Sequence, residues 1–288
     1  MKVILSRKGF DSSNGGIVSP IFENGDMISF PIPSDDKDSF SDLSYNGMGY
    51  DEILSCLNYK GGSHCHLDPD LDQSRRREKV DGWVPAFGQS STSAIYLLNN
   101  NVEPGDLFLF FGNFHFVEWN GQKYKYVKQS GDFYKDNDLQ VVWGYLQVGD
   151  IVMNHQEQRR YWWHPHSIES RANKDTNIIF RASNQLSFDT SKPGAGLLAY
   201  DEKRVMTLYG ELLPEPAYEE AVALIRYADM LIIGGTSLEV GSAAQLAHMY
   251  HGKYLVIINK GKTKMEGKAE QQINFIIVDE KDMRRVIV

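Results

Sequence analysis

The sequence predicts a mixed α/β protein, strand-rich in front and partly Rossmann-like behind, and three observations carry that class. Up to about Asp189 the apolar segments are short, aromatic and β-branched: "MKVILS", "MISFPIP", "GDLFLFFGNF", "YKYVKQS", "VVWGYLQVGDIV" and "NIIFRAS". From about residue 202, strand-like runs alternate with helical patterns, the mark of parallel βαβ units. Aromatic residues are plentiful, with 14 Phe, 15 Tyr and 5 Trp, which favours strands and stacking surfaces over a helical bundle.

In the front unit, short strands parted by Gly, Asp and Asn point to an antiparallel or barrel-like domain. "EPGDLFLFFGNFHFVEW" reads as a turn and a long hydrophobic strand entering a hairpin, with Asn120-Gly121 as a two-residue turn. Residues 48–60 are the best helix candidate there, with Ile53, Leu54 and Leu57 on one side. "TSKPGAGLL", residues 190–198, reads as a linker on its Pro and Gly content. Behind it, Ala217, Ala221, Leu224 and Ile225 fall at helical spacing across 215–227. A strand at 230–233, a helix at about 239–250, strands at 254–258 and 274–278 and a short terminal helix follow. The predicted units are 1–201 and 202–288.

At 288 residues the chain has room for two domains. Its net charge of −8 argues against a broad non-specific grip on nucleic acid, but not against one base or nucleotide held in a pocket. The apolar run in "MKVILSRKGFDSS" is too short for a signal peptide, and no stretch approaches the ~18–20 apolar residues of a membrane span. Cys56 and Cys65 make no disulfide framework. The expected setting is cytoplasmic, with no membrane partner; the oligomeric state is not legible.

Three clusters are suited to chemistry. In "SRKGFDSSNGG", Arg7, Lys8, Asp11 and Ser12 follow a buried strand, as a phosphate site would require, or else form a polar turn with an Arg–Asp pair. In "HCHLDPDLD", His64 and His66 at i and i+2 point the same way in an extended chain, and Asp68 and Asp70 continue the register. That set suits a divalent metal or proton transfer near neutral pH, although Asp-Pro-Asp is also an ordinary turn. In "YWWHPHS", His164 and His166 can join the first pair, and Trp162 and Trp163 can stack a base or simply fill a core. Gln89 offers an amide able to read a base edge. Arg75–Arg77 reads as a solvated helix start.

Two resemblances add to this. Gly210–Glu211, Leu213–Pro214, Gly235–Thr236–Ser237–Leu238, Ala243–Ala244 and Ile258–Asn259 stand in the order of the C-terminal half of the sirtuin Rossmann domain, which residues 207–278 resemble. The resemblance implies that Gly235, Thr236, Ser237 and Asn259 contact NAD or ADP-ribose. Missing upstream are the first glycine loop with its arginine and four zinc-binding cysteines, so no structural zinc and no complete deacylase are expected. Residues 1 to about 201, from "MKVILSRKGFDSSNGG" through "HCHLDPDLD", "GWVPAFGQS" and "VVWGYLQVGDIV", resemble a bacterial and phage family, the nucleotide modification-associated domain of the third type.

Together these imply a protein that handles a nucleotide or modified nucleic-acid base, with a tail that touches NAD. As an enzyme it would transfer or hydrolyse nucleotides. His64 and His66 would then move protons, Arg7 and Lys8 would hold phosphate, and the acids from Asp68 to Asp72 would recruit a metal. Two alternatives stay open: a sirtuin-type NAD-consuming deacylase, and a base-binding module without catalysis.

Overall fold

The computed structural model describes residues 1–11, 13–168, 171, 176–206, 215–234, 246–252, 254–258 and 277–278. Strands β1 (Val3–Arg7), β2 (Ser19–Ile21), β3 (Ile32–Pro33), β4 (Ser44–Tyr45) and β5 (Met48–Gly49) precede helix α1 (Tyr50–Cys56) and β6 (Cys65–His66). Then come β7 (Ala86–Gln89), α2 (Ser91–Asn99), β8 (Leu107–Trp119), β9 (Tyr124–Tyr126) and α3 (Phe133–Asp136). They lead into β10 (Leu139–Val152), α4 (His155–Gln158) and β11 (Ile178–Ala182). Last are β12 (Ala195–Leu197), β13 (Val205–Met206), α5 (Glu215–Tyr227), β14 (Met230–Gly234), β15 (Tyr254–Ile258) and β16 (Ile277–Val278).

One ten-stranded mixed sheet organises the chain, running β16-β1-β8-β10-β11-β7 with β2, β9, β12 and β13 branching from β8 and β10. Its axis is the pair β8 and β10, antiparallel from Leu139↔Phe114 to Gln147↔Leu107, with a bulge between Val142 and Gly144. Most of β8 is buried, which explains why "LFLFFGNF" is almost continuously apolar rather than alternating. β1 lies parallel to β8. Gly112 matters to that pairing: a Cβ there would sit 2.4 Å from the Lys8 carbonyl oxygen.

The aromatic wealth is spent on two cores. Phe87, Phe108, Phe110 and Phe180 cluster on the sheet, with ring centroids 4.9 Å apart for Phe87–Phe108 and 5.9 Å for Phe87–Phe180. Phe10, Phe30, Phe40 and Tyr50 form the second, closed by Ile53 and Leu54 of α1 and by Leu57 just past its end. Each fully buried side chain of this size contributes about 1.5–3 kcal/mol.

Several expectations change. The sheet is open: β7 and β16 end the path, and the outer edge of β7 bridges Asp70 instead of closing a barrel. The Asn120-Gly121 hairpin is present, but its loop runs from Asn120 to Lys123 because Asn120 Oδ1 accepts from Gln122 N and Lys123 N. The expected linker at 190–198 is no free tether, since β12 and then β13 pair with β10. The helix of 48–60 shortens to α1, because Met48–Gly49 enter a hairpin with β4 and Asn58 turns to φ +64°. α2, which buries Ser93, Ala94 and Leu97, matches no element expected from the sequence.

In the tail, α5, β14 and β15 fall where expected, and β14 and β15 pair in parallel from Met230↔Tyr254 to Gly234↔Ile258. The predicted helix at 239–250 is described only from 246, and the terminal helix lies outside the described residues. β16 adds to β1 in parallel, so the C-terminal stretch shares the front sheet. Among the described residues no helix is long and apolar enough to cross a membrane, and Cys56 and Cys65 are both free thiols.

Candidate active site

The outer edge of β7 builds the site. Its backbone N–H groups at Ala86 and Gly88 face outward: Ala86 N bonds the Asp70 carbonyl at 3.0 Å, and Gly88 N meets the Asp68 carboxylate at 2.6 Å. Asp68 thus caps a sheet edge with its side chain. A second route fixes the same segment, because β6 pairs with β3 through Ile32↔His66 and Pro33↔Cys65. The turn after β3 then brings Asp36 beside His66, with Ser34 Oγ holding the Asp36 carboxylate at 2.9 Å.

Around Asp68 the polar groups converge. Lys8 Nζ, just past β1, stands 3.3 Å from Asp68 Oδ2, and 4.8 Å above the Phe87 ring. His164 Nε2 lies 3.2 Å from Asp68 Oδ1, and His66 Nε2 lies 3.9 Å from Oδ2. Lys8, His66, Asp68, His164 and His166 are all buried. Placing so many polar groups out of water costs stability unless they pair, and here they do.

Hydrogen bonds fix the tautomers. Asn177 Nδ2 donates to Gln158 Oε1 at 2.8 Å and to the His166 carbonyl at 2.9 Å, so its Oδ1 is the atom facing His166 Nδ1 at 2.7 Å. His166 therefore carries its proton on Nδ1 and leaves Nε2 with a bare lone pair. His66 Nδ1 donates to Asp36 Oδ2 at 2.7 Å, and Asp36 Oδ1 is tied to Arg171 Nη1 at 2.8 Å. His164 Nδ1 accepts from the His166 backbone N–H at 3.2 Å, which puts the His164 proton on Nε2, toward Asp68. The His66, Asp68 and His166 ligand atoms lie within 4.8 Å of one another.

Electrostatics follow the geometry. Burial raises the Asp68 pKa, but the Lys8 charge and the His164 contact outweigh it and hold the carboxyl well below the usual range. Burial also raises Asp36, yet His66 and Arg171 bring it down to about 2. His166 goes to about 3, because burial disfavours the imidazolium more than Asp68 supports it. A buried histidine whose folded pKa lies below its unfolded value stabilises the fold above pH ~6.5 and loses that contribution as pH falls toward the folded value. Urea midpoints of the protein held in chelator should therefore drop between pH ~6.5 and ~4, and His166→Gln should flatten the slope. A wild-type midpoint constant from pH 7 to 4.5 would contradict this.

The structure brings together Lys8, His66, Asp68, His164 and His166 of the expected residues. His64 is exposed, with Nδ1 3.2 Å from Ser63 Oγ, because it precedes β6 and bridges Ser39 rather than continuing the strand. Asp70 is turned to Arg76 at 2.9 Å and to Trp83 Nε1 at 2.9 Å. Arg76, with Asp38 also at 3.2 Å, is a buried ion-pair hub and no solvated helix start. Arg7 pairs with Asp11 at 3.6 Å, and Asp11 caps its own turn through Ser13 N and Asn14 N. Gln89 is 2% exposed on β7, and its Nε2 has no hydrogen-bond partner among the described residues. Ser12, Gly235, Thr236, Ser237 and Asn259 lie outside the described residues. Sequence reasoning missed Asp36, Arg171, Gln158 and Asn177: each acts through bonds to residues 11 to 135 positions away, which no local motif announces.

A family model described as nucleotide modification associated domain 3 matches residues 2–216. The chain belongs to that family. All the described members of the buried centre fall inside the match. The chain also resembles proteins named NAD-dependent protein deacetylase: 45% identical over 69 residues in Clostridium tetani, 47% over 70 in Clostridium perfringens and 41% over 64 in Staphylococcus aureus. Each match takes in 22–24% of this chain and 26–29% of the relative, so the chain spans about a quarter of the length of those curated proteins. No solved structure matches.

Proposed function

We propose that this nucleotide modification associated domain acts as an enzyme on a nucleotide or nucleobase, with the buried His–Asp–Lys centre as its reactive end. One observation supports the reading most: side chains from three separate segments, after β1, in and after β6 and at 164–166, meet around Asp68, which the Gly88 N–H of β7 also holds, in one buried polar centre. Structural cores seldom bury five ionisable groups together, and perturbed ionisable clusters concentrate at working sites.

The rim supplies a place for a base. Trp162 is 57% exposed, whereas Trp163 is buried. Lys37, next to Asp36, lies 4.9 Å over the Trp162 ring and bonds the Trp162 carbonyl at 2.5 Å. In this reading Trp162 stacks the base, Lys37 attracts its phosphate, and the unpaired Gln89 amide reads a base edge if the centre opens to it. The tail, similar to part of the deacetylases, adds an NAD or ADP-ribose contact at Gly235, Thr236, Ser237 and Asn259.

A thermal-shift panel of nucleoside triphosphates, modified nucleosides, NAD and ADP-ribose tests this. A ligand at ~100 times its Kd adds ~2.7 kcal/mol to stability, an easily read rise in Tm. Trp162→Ala should weaken the best nucleotide about fivefold or more, since one base–aromatic stack is worth ~1–3 kcal/mol, and should leave the unliganded Tm unchanged. A panel in which no nucleotide or nucleoside raises Tm would overturn the proposal.

A further inference from the structure

We propose that His66, Asp68 and His166 bind a first-row divalent transition ion such as Zn²⁺ or Fe²⁺ through His66 Nε2, Asp68 Oδ2 and His166 Nε2. The inference deepens the reading of the same centre, but metal uptake is measured without any nucleotide, so the two can fail separately.

Three features argue for it. Both histidines have their Nδ1 protons committed, to Asp36 and to Asn177, and so present unprotonated Nε2 atoms inward. Metal-bound imidazoles are held this way, with a carboxylate or carbonyl on the far nitrogen fixing the tautomer. Each of those acceptors is itself braced: Asp36 by Arg171 and Ser34, Asn177 by Gln158. A merely structural histidine needs one such bond; two histidines with matched outer partners and facing lone pairs form a ligand set.

Distances agree. An ion with bonds of ~2.1 Å places neighbouring ligand atoms roughly 3.0–3.4 Å apart. The three groups lie within 4.8 Å of one another, and His66 Nε2 to Asp68 Oδ2 is 3.9 Å, so binding closes the set by roughly 0.5–0.9 Å at its His66–Asp68 edge and by no more than about 1.8 Å at its widest. Lys8 Nζ, at 3.3 Å from the same oxygen, becomes an outer donor to the bound carboxylate.

Donor chemistry selects the ion. Two imidazoles and one carboxylate suit zinc, iron, cobalt or nickel, whereas magnesium and calcium prefer all-oxygen sets. Cys65 contributes nothing, since it sits in the aromatic core and burial pushes its thiol well above the usual range. Three protein ligands leave further coordination positions open for water or substrate.

The test uses the full chain stripped with chelator and titrated with Co²⁺. One equivalent should bind with visible d–d absorption, unchanged by a large excess of Mg²⁺. His166→Ala and His66→Ala should each weaken Co²⁺ at least 100-fold, Asp36→Asn should weaken it 10- to 100-fold as an outer partner, and surface His64→Ala should change nothing. X-ray absorption of the Zn²⁺-loaded wild type should show two imidazoles with oxygen ligands and no sulfur, a readout independent of whether a variant folds. Uptake below a tenth of an equivalent, a spectrum without imidazole, or affinity unmoved in folded His66 and His166 variants would overturn the proposal.

Discussion

Gly88→Ala should cripple the centre while changing a single methyl group. A Cβ at residue 88 would lie 2.3 Å from both Cγ and Cδ2 of His166 and 2.9 Å from its Cβ, distances no real contact tolerates. The imidazole has little freedom to retreat, because Asn177 Oδ1 holds Nδ1 at 2.7 Å and Ser167 N is tied back to the His164 carbonyl at 2.9 Å. Nor can β7 shift easily, being paired through Ile179↔Gly88 to β11 and through Gly88 N to Asp68. Overpacking of this kind costs about 1–3 kcal/mol. The expected outcome is a lower urea midpoint together with at least a tenfold loss of Co²⁺ affinity. Gly62→Ala, where a Cβ meets nothing within 4 Å and the backbone is not left-handed, should leave metal uptake intact. A Gly88→Ala protein with wild-type Co²⁺ affinity would show that His166 is not held where the structure places it.

The second large effect belongs to Asp68→Ala. That carboxylate accepts the Gly88 N–H at 2.6 Å, sits 3.3 Å from the Lys8 ammonium and 3.2 Å from His164 Nε2, all away from water. Removing one partner of a buried ion pair costs about 3–5 kcal/mol, because the remaining charge keeps its desolvation penalty and loses that partner's share of the compensation. Chemical denaturation should register a loss in that range. Lys8→Met added to Asp68→Ala should recover part of it, which a simple cavity would not do. Asp11→Ala, at a half-exposed turn, should cost only about 1 kcal/mol by comparison. An Asp68→Ala loss below about 1 kcal/mol would mean that the centre is more open to water than its burial indicates.

These two residues also show how far the sequence speaks. Asp68 and the histidines announce themselves as ionisable groups at close spacing in "HCHLDPDLD" and "YWWHPHS". Gly88 does not, since nothing local says that a histidine 78 positions later will need its missing side chain. The i, i+2 rule placed His64 beside His66, but it holds only within a strand, and β6 is two residues long, Cys65–His66. Strands β1, β8, β10 and β11 were readable because apolar, β-branched runs of that length have few alternatives. Their order in the sheet was not, because a parallel β1–β8 pair and the addition of β16 depend on contacts more than 100 residues apart. In the tail, periodicity alone was enough for α5, β14 and β15.

Family membership and the sirtuin-like match pull the functional reading toward different ends of the chain, and one measurement separates them. Purified wild type, Asp68→Asn, and a Ser237→Ala/Asn259→Ala double variant would be incubated with nucleotides, modified nucleosides and NAD in the presence of Fe²⁺ or Zn²⁺, and products followed by mass spectrometry. The buried centre as reactive site predicts a nucleotide or nucleoside product that vanishes in Asp68→Asn and persists in the tail variant. Nicotinamide release from NAD that survives Asp68→Asn and is lost in the tail variant, with no nucleoside product from any protein, would contradict it.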